Sequence, residues 1–338
     1  MSQVVVVTGA SAGVGRAVVR AFAKRGADVA LIARGRDGLE AAAREVEVEG
    51  GRALVLPLDV SNAEDVERAA DDVERTLGPI DVWVNDAMST VFSPVSTMSP
   101  AEFKRVTEVT YLGFVHGTMA ALRSMRPRGR GAIVQVGSAL AYRGIPLQSA
   151  YCGAKHAIRG FTNSLRAELQ HERSRIRVSI VELPAINTPQ FDWARTHMDE
   201  APRPMGEVFE PEVAARAIYR AAGGRWREYW VGGSTLMTIV GNMVLPEAMD
   251  RILARSAFKG QERGEPVSPD RRDNLRQPVT ALHRTHGSFE AQARTGALVA
   301  PAPAARLAVV AAGALTFLAA GFAGGRLMGL FSGRHGGV

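Results

Sequence analysis

The sequence predicts an α/β fold, a doubly wound parallel sheet of about seven strands flanked by helices, with one further apolar helix near the C-terminus. Three observations carry this expectation. From residue 4 to about 235, short apolar runs alternate with longer amphipathic stretches. The runs are apolar throughout rather than at every second position, as in strands buried on both faces. Residues 307–325 then contain no charged side chain and a single hydroxyl, Thr316.

The elements follow in order. VVVVT (4–8) is β-branched and opens the sheet, and an apolar stripe over 15–25 makes the first helix. DVALIA (28–33), RALVLPLD (52–59) and DVWVND (81–86) are the next strands, separated by helices over 39–49 and 64–77. A long helix over 100–125 precedes GAIVQVGS (131–138), and one over 150–170 precedes RVSIVELP (177–184). A helix over 211–222 leads to the last strand, EYWVGG (228–233). Residues 1–257 therefore form one domain. Residues 258–305, polar, Arg-rich and broken by proline, read as a mobile linker.

Composition narrows the function classes. With 338 residues, 46% hydrophobic and 22% charged, the chain has material for one large core plus an appendage. The net charge of +7 is spread along the chain without helix-turn-helix, RNP or zinc-finger spacing. This speaks against nucleic acid and for a basic surface near anionic lipid. The single cysteine, Cys152, excludes an intrachain disulfide framework and suits a reducing compartment. The seven histidines form no metal-ligand pattern; His283 and His286 sit three apart in the polar stretch, and no metal site is expected.

Thr8-Gly9-Ala10-Ser11-Ala12-Gly13-Val14-Gly15 joins the first strand to the first helix. Glycines at 9, 13 and 15 allow a tight turn and close approach to a pyrophosphate, whose charge then lies at a helix N-terminus. Tyr151 and Lys155, four apart on a helix, project from one face. An ammonium beside a phenol stabilises the phenolate and lowers its pKa from about 10.

TGASAGVG resembles the TGxxxGxG signature of the short-chain dehydrogenase/reductase family, whose fold is of Rossmann type. Further landmarks stand in order over residues 3 to 255: Asp59-Val60 after the third strand, Asn85-Asp86-Ala87-Met88 for NNAG, Ser138, Tyr151-Cys-Gly-Ala-Lys155 for YxxxK, and Pro184-Ala-Ile-Asn-Thr188 for PGxxxT. The resemblance implies that Thr8, Gly9, Ser11, Gly13, Val14, Gly15, Asp59, Val60, Asn85, Ala87, Pro184 and Thr188 hold a nicotinamide cofactor. It implies that Lys155 holds the nicotinamide ribose, that Tyr151 exchanges a proton with the substrate oxygen, and that Ser138 positions that oxygen. Thr110 takes the place of a catalytic asparagine, Met88 and Ala185 replace glycines, and these departures read as a variant site.

The second strand ends in LIAR rather than in an acidic residue, so Arg34, with Arg36 close behind, favours NADP over NAD through the 2′-phosphate. The segment after the sixth strand, 189–210, offers Phe191, Trp193, Met198, Met205 and Phe209 to close over an apolar ligand. The run 235–245 borders the same pocket or a membrane-facing surface. Family members often pair, so a homodimer or homotetramer is expected.

Within a candidate transmembrane helix over 306–326, residues 307–325 would span about 28 Å between Arg306 and Arg326, close to a bilayer core, leaving 327–338 as a short tail. Without a basic leader at MSQVVVV, the expectation is a cytoplasmic catalytic domain anchored to the membrane by this helix. Its substrate would be an apolar ketone or alcohol, lipids included. Two other readings stay open: a sensor that holds NADP without turnover, indifferent to Tyr151→Phe, and a scaffold that binds no cofactor.

Overall fold

The computed structural model describes residues 2–311. All seven expected strands form: β1 (Val4–Thr8), β2 (Asp28–Ala33), β3 (Ala53–Pro57), β4 (Val82–Asn85), β5 (Arg130–Ser138), β6 (Arg175–Leu183) and β7 (Glu228–Val231). An eighth, β8 (Val299–Pro301), completes a sheet ordered β8-β7-β6-β5-β4-β1-β2-β3. Every pairing is parallel except β7 with β8. The order reverses between β1 and β4, which opens a crevice at the carboxyl ends of the strands.

Helices α1 (Gly13–Ala23), α2 (Arg36–Val48), α3 (Ala63–Thr76), α4 (Pro100–Thr107), α5 (Gly113–Met125), α6 (Ser149–His171), α7 (Pro211–Gly223), α8 (Gly233–Val244) and α9 (Pro246–Gly260) surround the sheet. On one face Val18, Phe22, Leu39 and Ile218 from α1, α2 and α7 pack on Val5, Val7 and Leu31; on the other, Val73, Ala121 and Leu165 from α3, α5 and α6 pack on Val6, Trp83 and Ile133. Both faces are covered by helices, which is why the strands lack alternation. Ser99 and Glu102 form a reciprocal capping box at the start of α4, and Pro100 fills its first position. The helix expected over 100–125 is interrupted by a π turn at Glu108–Leu112.

The polar stretch 258–305 departs from its expectation. It packs along the domain instead of hanging free. Glu262–Pro266 pairs with Glu200–Pro202, Ala293–Arg294 pairs with Val208–Phe209, and β8 extends the central sheet. Leu275, Val279 and Phe289 are its buried apolar anchors.

The membrane-anchored placement is also corrected. No helix among the described residues is long and apolar enough to cross a membrane. The span expected over 306–326 lies outside the described residues from 312 onward. Its first charge, Arg306, is docked on the domain at 3.2 Å from Glu228, beside Trp230.

Candidate active site

A cavity of about 440 Å³ runs across the carboxyl ends of the central strands. Its floor is the turn from β1 to α1. Gly9 and Gly13 adopt φ of +76° and +55°, which disfavour any side chain. A Cβ on Gly15 would stand 2.3 Å from the Gly9 carbonyl oxygen, so the turn closes only on glycine. Ser11, Gly13 and Val14 line the cavity with Gly9. Thr8 does not; its Oγ1 accepts from the Asp86 and Ala87 amides at 2.9 and 3.1 Å and fixes the loop after β4 against β1.

Arg34, Asp59 and Val60 line one end of the cavity. The Asp59 carboxylate pairs with Arg105 and accepts from Ser61. Burial lowers the pKa of Arg34, Arg105 adds like charge, and Asp59 and Asp273 oppose both. Arg36, by contrast, is exposed and paired loosely with Glu40.

At the other end Ser138, Tyr151 and Lys155 meet around the cavity with Ala87, Pro184 and Thr188. Ser138 ends β5, and Tyr151 and Lys155 share one face of α6. The Lys155 ammonium donates to the Val136 carbonyl at 2.7 Å and lies 5.6 Å from the centre of the Tyr151 ring. The expected lowering of the phenol's pKa is not what this arrangement gives. Burial pushes Tyr151 up, the nearby Ser138 hydroxyl opposes it, and Cys152, Asp86 and Glu182 add to the rise. Lys155 is directed at a backbone carbonyl. Burial also lowers Lys155, with Asp86 and Glu182 holding its charge in place. The Cys152 thiol is buried and pushed up to about 11, as an inert side chain would be.

Besides Thr8 and Gly15, two further expected site residues do not line the cavity. Asn85 is fully buried, accepting from the Trp83 indole at 2.8 Å and donating to Gln135 at 2.9 Å and Thr118 at 3.1 Å. It ties β4 to β5 and α5. Thr110 is equally buried; its hydroxyl donates to the Ser89 carbonyl at 2.8 Å and accepts the Ser89 amide at 3.0 Å. This clamp pins the π turn to the loop after β4, a positioning task.

The sequence reading passed over three features. Asp86 lines the cavity beside Lys155, with its pKa raised by burial and opposed by the lysine. Glu182 on β6 is fully buried under Gly137, where a Cβ would stand 2.2 Å from its Oε2, and Arg159 lies 3.7 Å away. The third is the segment around Asn274 and His283, which lines the far end of the cavity. A carboxylate within the apolar end of the strand, Ile180–Leu183, away from the arginines at its start, was the available signal for Glu182.

Burial, with Glu228 adding like charge, raises the Glu182 pKa to about 8. The folded state thus keeps a proton that the unfolded chain releases from about pH 4.5 upward, so stability falls between about pH 4.5 and 8 and levels off above. Glu182→Gln is expected to remove on the order of 2–4 kcal/mol of this decline. Thermal melts of both proteins from pH 5 to 9 check it: parallel curves would contradict the assignment.

The apolar part of the cavity is formed by Met88, Leu140, Ile145, Phe191, Met205 and Leu253, with Trp193 alongside. Of the aromatics and methionines expected in 189–210, Phe191, Trp193 and Met205 line it, Met198 does not, and Phe209 is in the main core. Ser234, Thr235 and Thr238 bring α8 to the same wall.

Comparison with known proteins gives the same answer from another direction. The family model for short chain dehydrogenases matches residues 3–199. An uncharacterized oxidoreductase of Bacillus subtilis (strain 168), YxnA, is 32% identical over 285 residues, 83% of this chain and 80% of that protein. A 3-ketodihydrosphingosine reductase of Bos taurus is 30% identical over 226 residues, covering 64% of this chain and 68% of its own. The crystal structure of a metagenomic short-chain oxidoreductase in complex with NADP superposes with a TM-score of 0.57 at 29% identity, covering 68% of this chain and 96% of that one. With a glycine turn, a serine and a Tyr-Lys helix opening on one crevice at the switch point of the sheet, the chain belongs to the short-chain dehydrogenase/reductase family, whose members are oxidoreductases that bind NAD(P).

Proposed function

We propose that the protein is an NADP-dependent reductase or dehydrogenase acting on an apolar ketone or alcohol. The observation that carries this reading is the single cavity that joins Arg34 at one end to Ser138, Tyr151 and Lys155 at the other. The residues fit such a cofactor: the glycine turn leaves room for a pyrophosphate, and Arg34 with Arg105 nearby supplies positive charge where a 2′-phosphate would sit. The nicotinamide supplies or accepts the hydride.

The chain's own residues then do the rest. Ser138 orients the substrate oxygen, and Tyr151 gives it a proton during reduction or removes one during oxidation. Lys155 holds the ribose side of the site, and Asp86 balances its charge. Phe191, Met205 and Leu253 exclude water around an apolar substrate. The 3-ketodihydrosphingosine reductase among the relatives supports a ketone substrate.

The cofactor choice has its own test. Arg34→Ala is expected to lower kcat/KM for NADPH by about 10–100-fold and for NADH by clearly less, because the phosphate contact is lost with NADPH alone, whereas the Arg34 bonds to the Asn274 and Leu275 carbonyls serve both nucleotides. Initial rates with both nucleotides measure it. Equal losses for the two would assign Arg34 a structural role only.

A further inference from the structure

The stretch read as a linker crosses the cavity as a strap, and it is anchored on both walls. On the substrate side, Arg271 donates to the Phe191 and Ala194 carbonyls at 2.9 and 3.1 Å, and the Asn274 amide donates to the Trp193 carbonyl at 2.9 Å. On the opposite side, Arg34 donates to the carbonyls of Asn274 and Leu275, and Arg105 donates to the Leu275 carbonyl at 3.2 Å. Leu275 is fully buried against Val91, Val106 and Ala150, so the crossing is held by packing as well. Beyond it, the Arg284 carbonyl accepts the Gly13 amide at 3.0 Å, and the His283 ring occupies the space left by Gly35 and Gly38.

One strap side chain is left over by these contacts. Asn274 is 7% exposed and lines the cavity at the Arg34 end, yet its Oδ1 is buried with no hydrogen-bond partner among the described residues. An unsatisfied buried amide oxygen is costly, and a hydrogen-bond donor on a ligand would satisfy it. A carboxamide offers one donor and one acceptor side by side, which matches the N6 and N7 edge of adenine. We infer that the strap is the third wall of the adenosine subsite and that Asn274 recognises the adenine base. The main-chain carbonyls of the strap hold one edge of Arg34, and the side chain of Asn274 faces the ligand.

This inference rests on the cofactor reading above, so its test separates the two. The probes are 2′,5′-ADP, the adenosine half of NADP, and reduced nicotinamide mononucleotide, titrated into the full chain by calorimetry. Asn274→Leu keeps the side-chain size and removes both polar atoms. It is expected to weaken 2′,5′-ADP about tenfold and leave the mononucleotide unchanged. Equal 2′,5′-ADP affinity in variant and wild type would overturn the inference and leave the cofactor reading standing. Tighter binding in the variant would overturn it in favour of a strap that obstructs the site. No binding of 2′,5′-ADP or NADPH to the wild type would remove both.

Because the variant is open to folding defects, amide hydrogen exchange on the wild type gives an independent readout. Saturating 2′,5′-ADP is expected to slow exchange over residues 272–285. Unchanged or faster exchange there would contradict a strap that closes on adenosine.

Discussion

Tyr151→Phe is expected to lower turnover by about 10²–10⁴-fold while leaving NADPH affinity nearly intact, because the substitution removes one acid/base group and no volume. The Tyr151 side chain is half-buried, and desolvation raises its pKa, favouring the protonated form that the proposed reduction would draw on. Steady-state rates and NADPH titration of the two proteins measure the split. Loss of binding in parallel with turnover would mean that Tyr151 holds the site together. Turnover within about twofold of wild type would remove it as the acid/base group.

Gly15→Ala should be the more disruptive change for the fold. The added methyl would meet the Gly9 carbonyl oxygen at 2.3 Å, its carbon at 2.7 Å and the Asp86 carboxylate at 2.9 Å. Two of the three are main-chain atoms, so the β1–α1 turn itself must move. A cost of about 1–3 kcal/mol in stability follows from such overpacking, and NADPH affinity is expected to fall by about tenfold or more as the turn shifts. Chemical denaturation and nucleotide titration report the two effects separately. A variant with wild-type stability and affinity would show that the turn is looser than its contacts imply.

The parts of this protein legible in its sequence were those with a local signature. Seven strands were visible because each is an apolar run such as VVVVT or DVALIA, buried on both faces. The glycine turn, Ser138 and the Tyr151–Lys155 pair were visible because spacing along one strand end or one helix face fixes where they point. What was hidden depends on contacts distant in sequence. Asn85 and Thr110 carry site-like positions, but Gln135, Thr118 and Ser89 engage their polar atoms, and nothing local announces those partners. The strap was hidden for the same reason. Its ties are guanidinium-to-carbonyl bonds and isolated anchors such as Leu275, which leave no periodic pattern to read. The direction of the phenol's shift was hidden as well, because it follows from desolvation in the folded site, which helical spacing does not show.

The central claim is that this cavity transfers hydride between NADP(H) and an apolar carbonyl compound. The most direct measurement incubates the full chain with NADPH and a series of long-chain 3-keto compounds, 2-ketones and aldehydes. Cofactor absorbance is followed, and the alcohol is identified by mass spectrometry. The expected result is NADPH consumption matched by an equal amount of alcohol, faster with longer chains and abolished by Tyr151→Phe. Tight NADPH binding with no alcohol from any member of the series, and no oxidation of the corresponding alcohols with NADP, would contradict it.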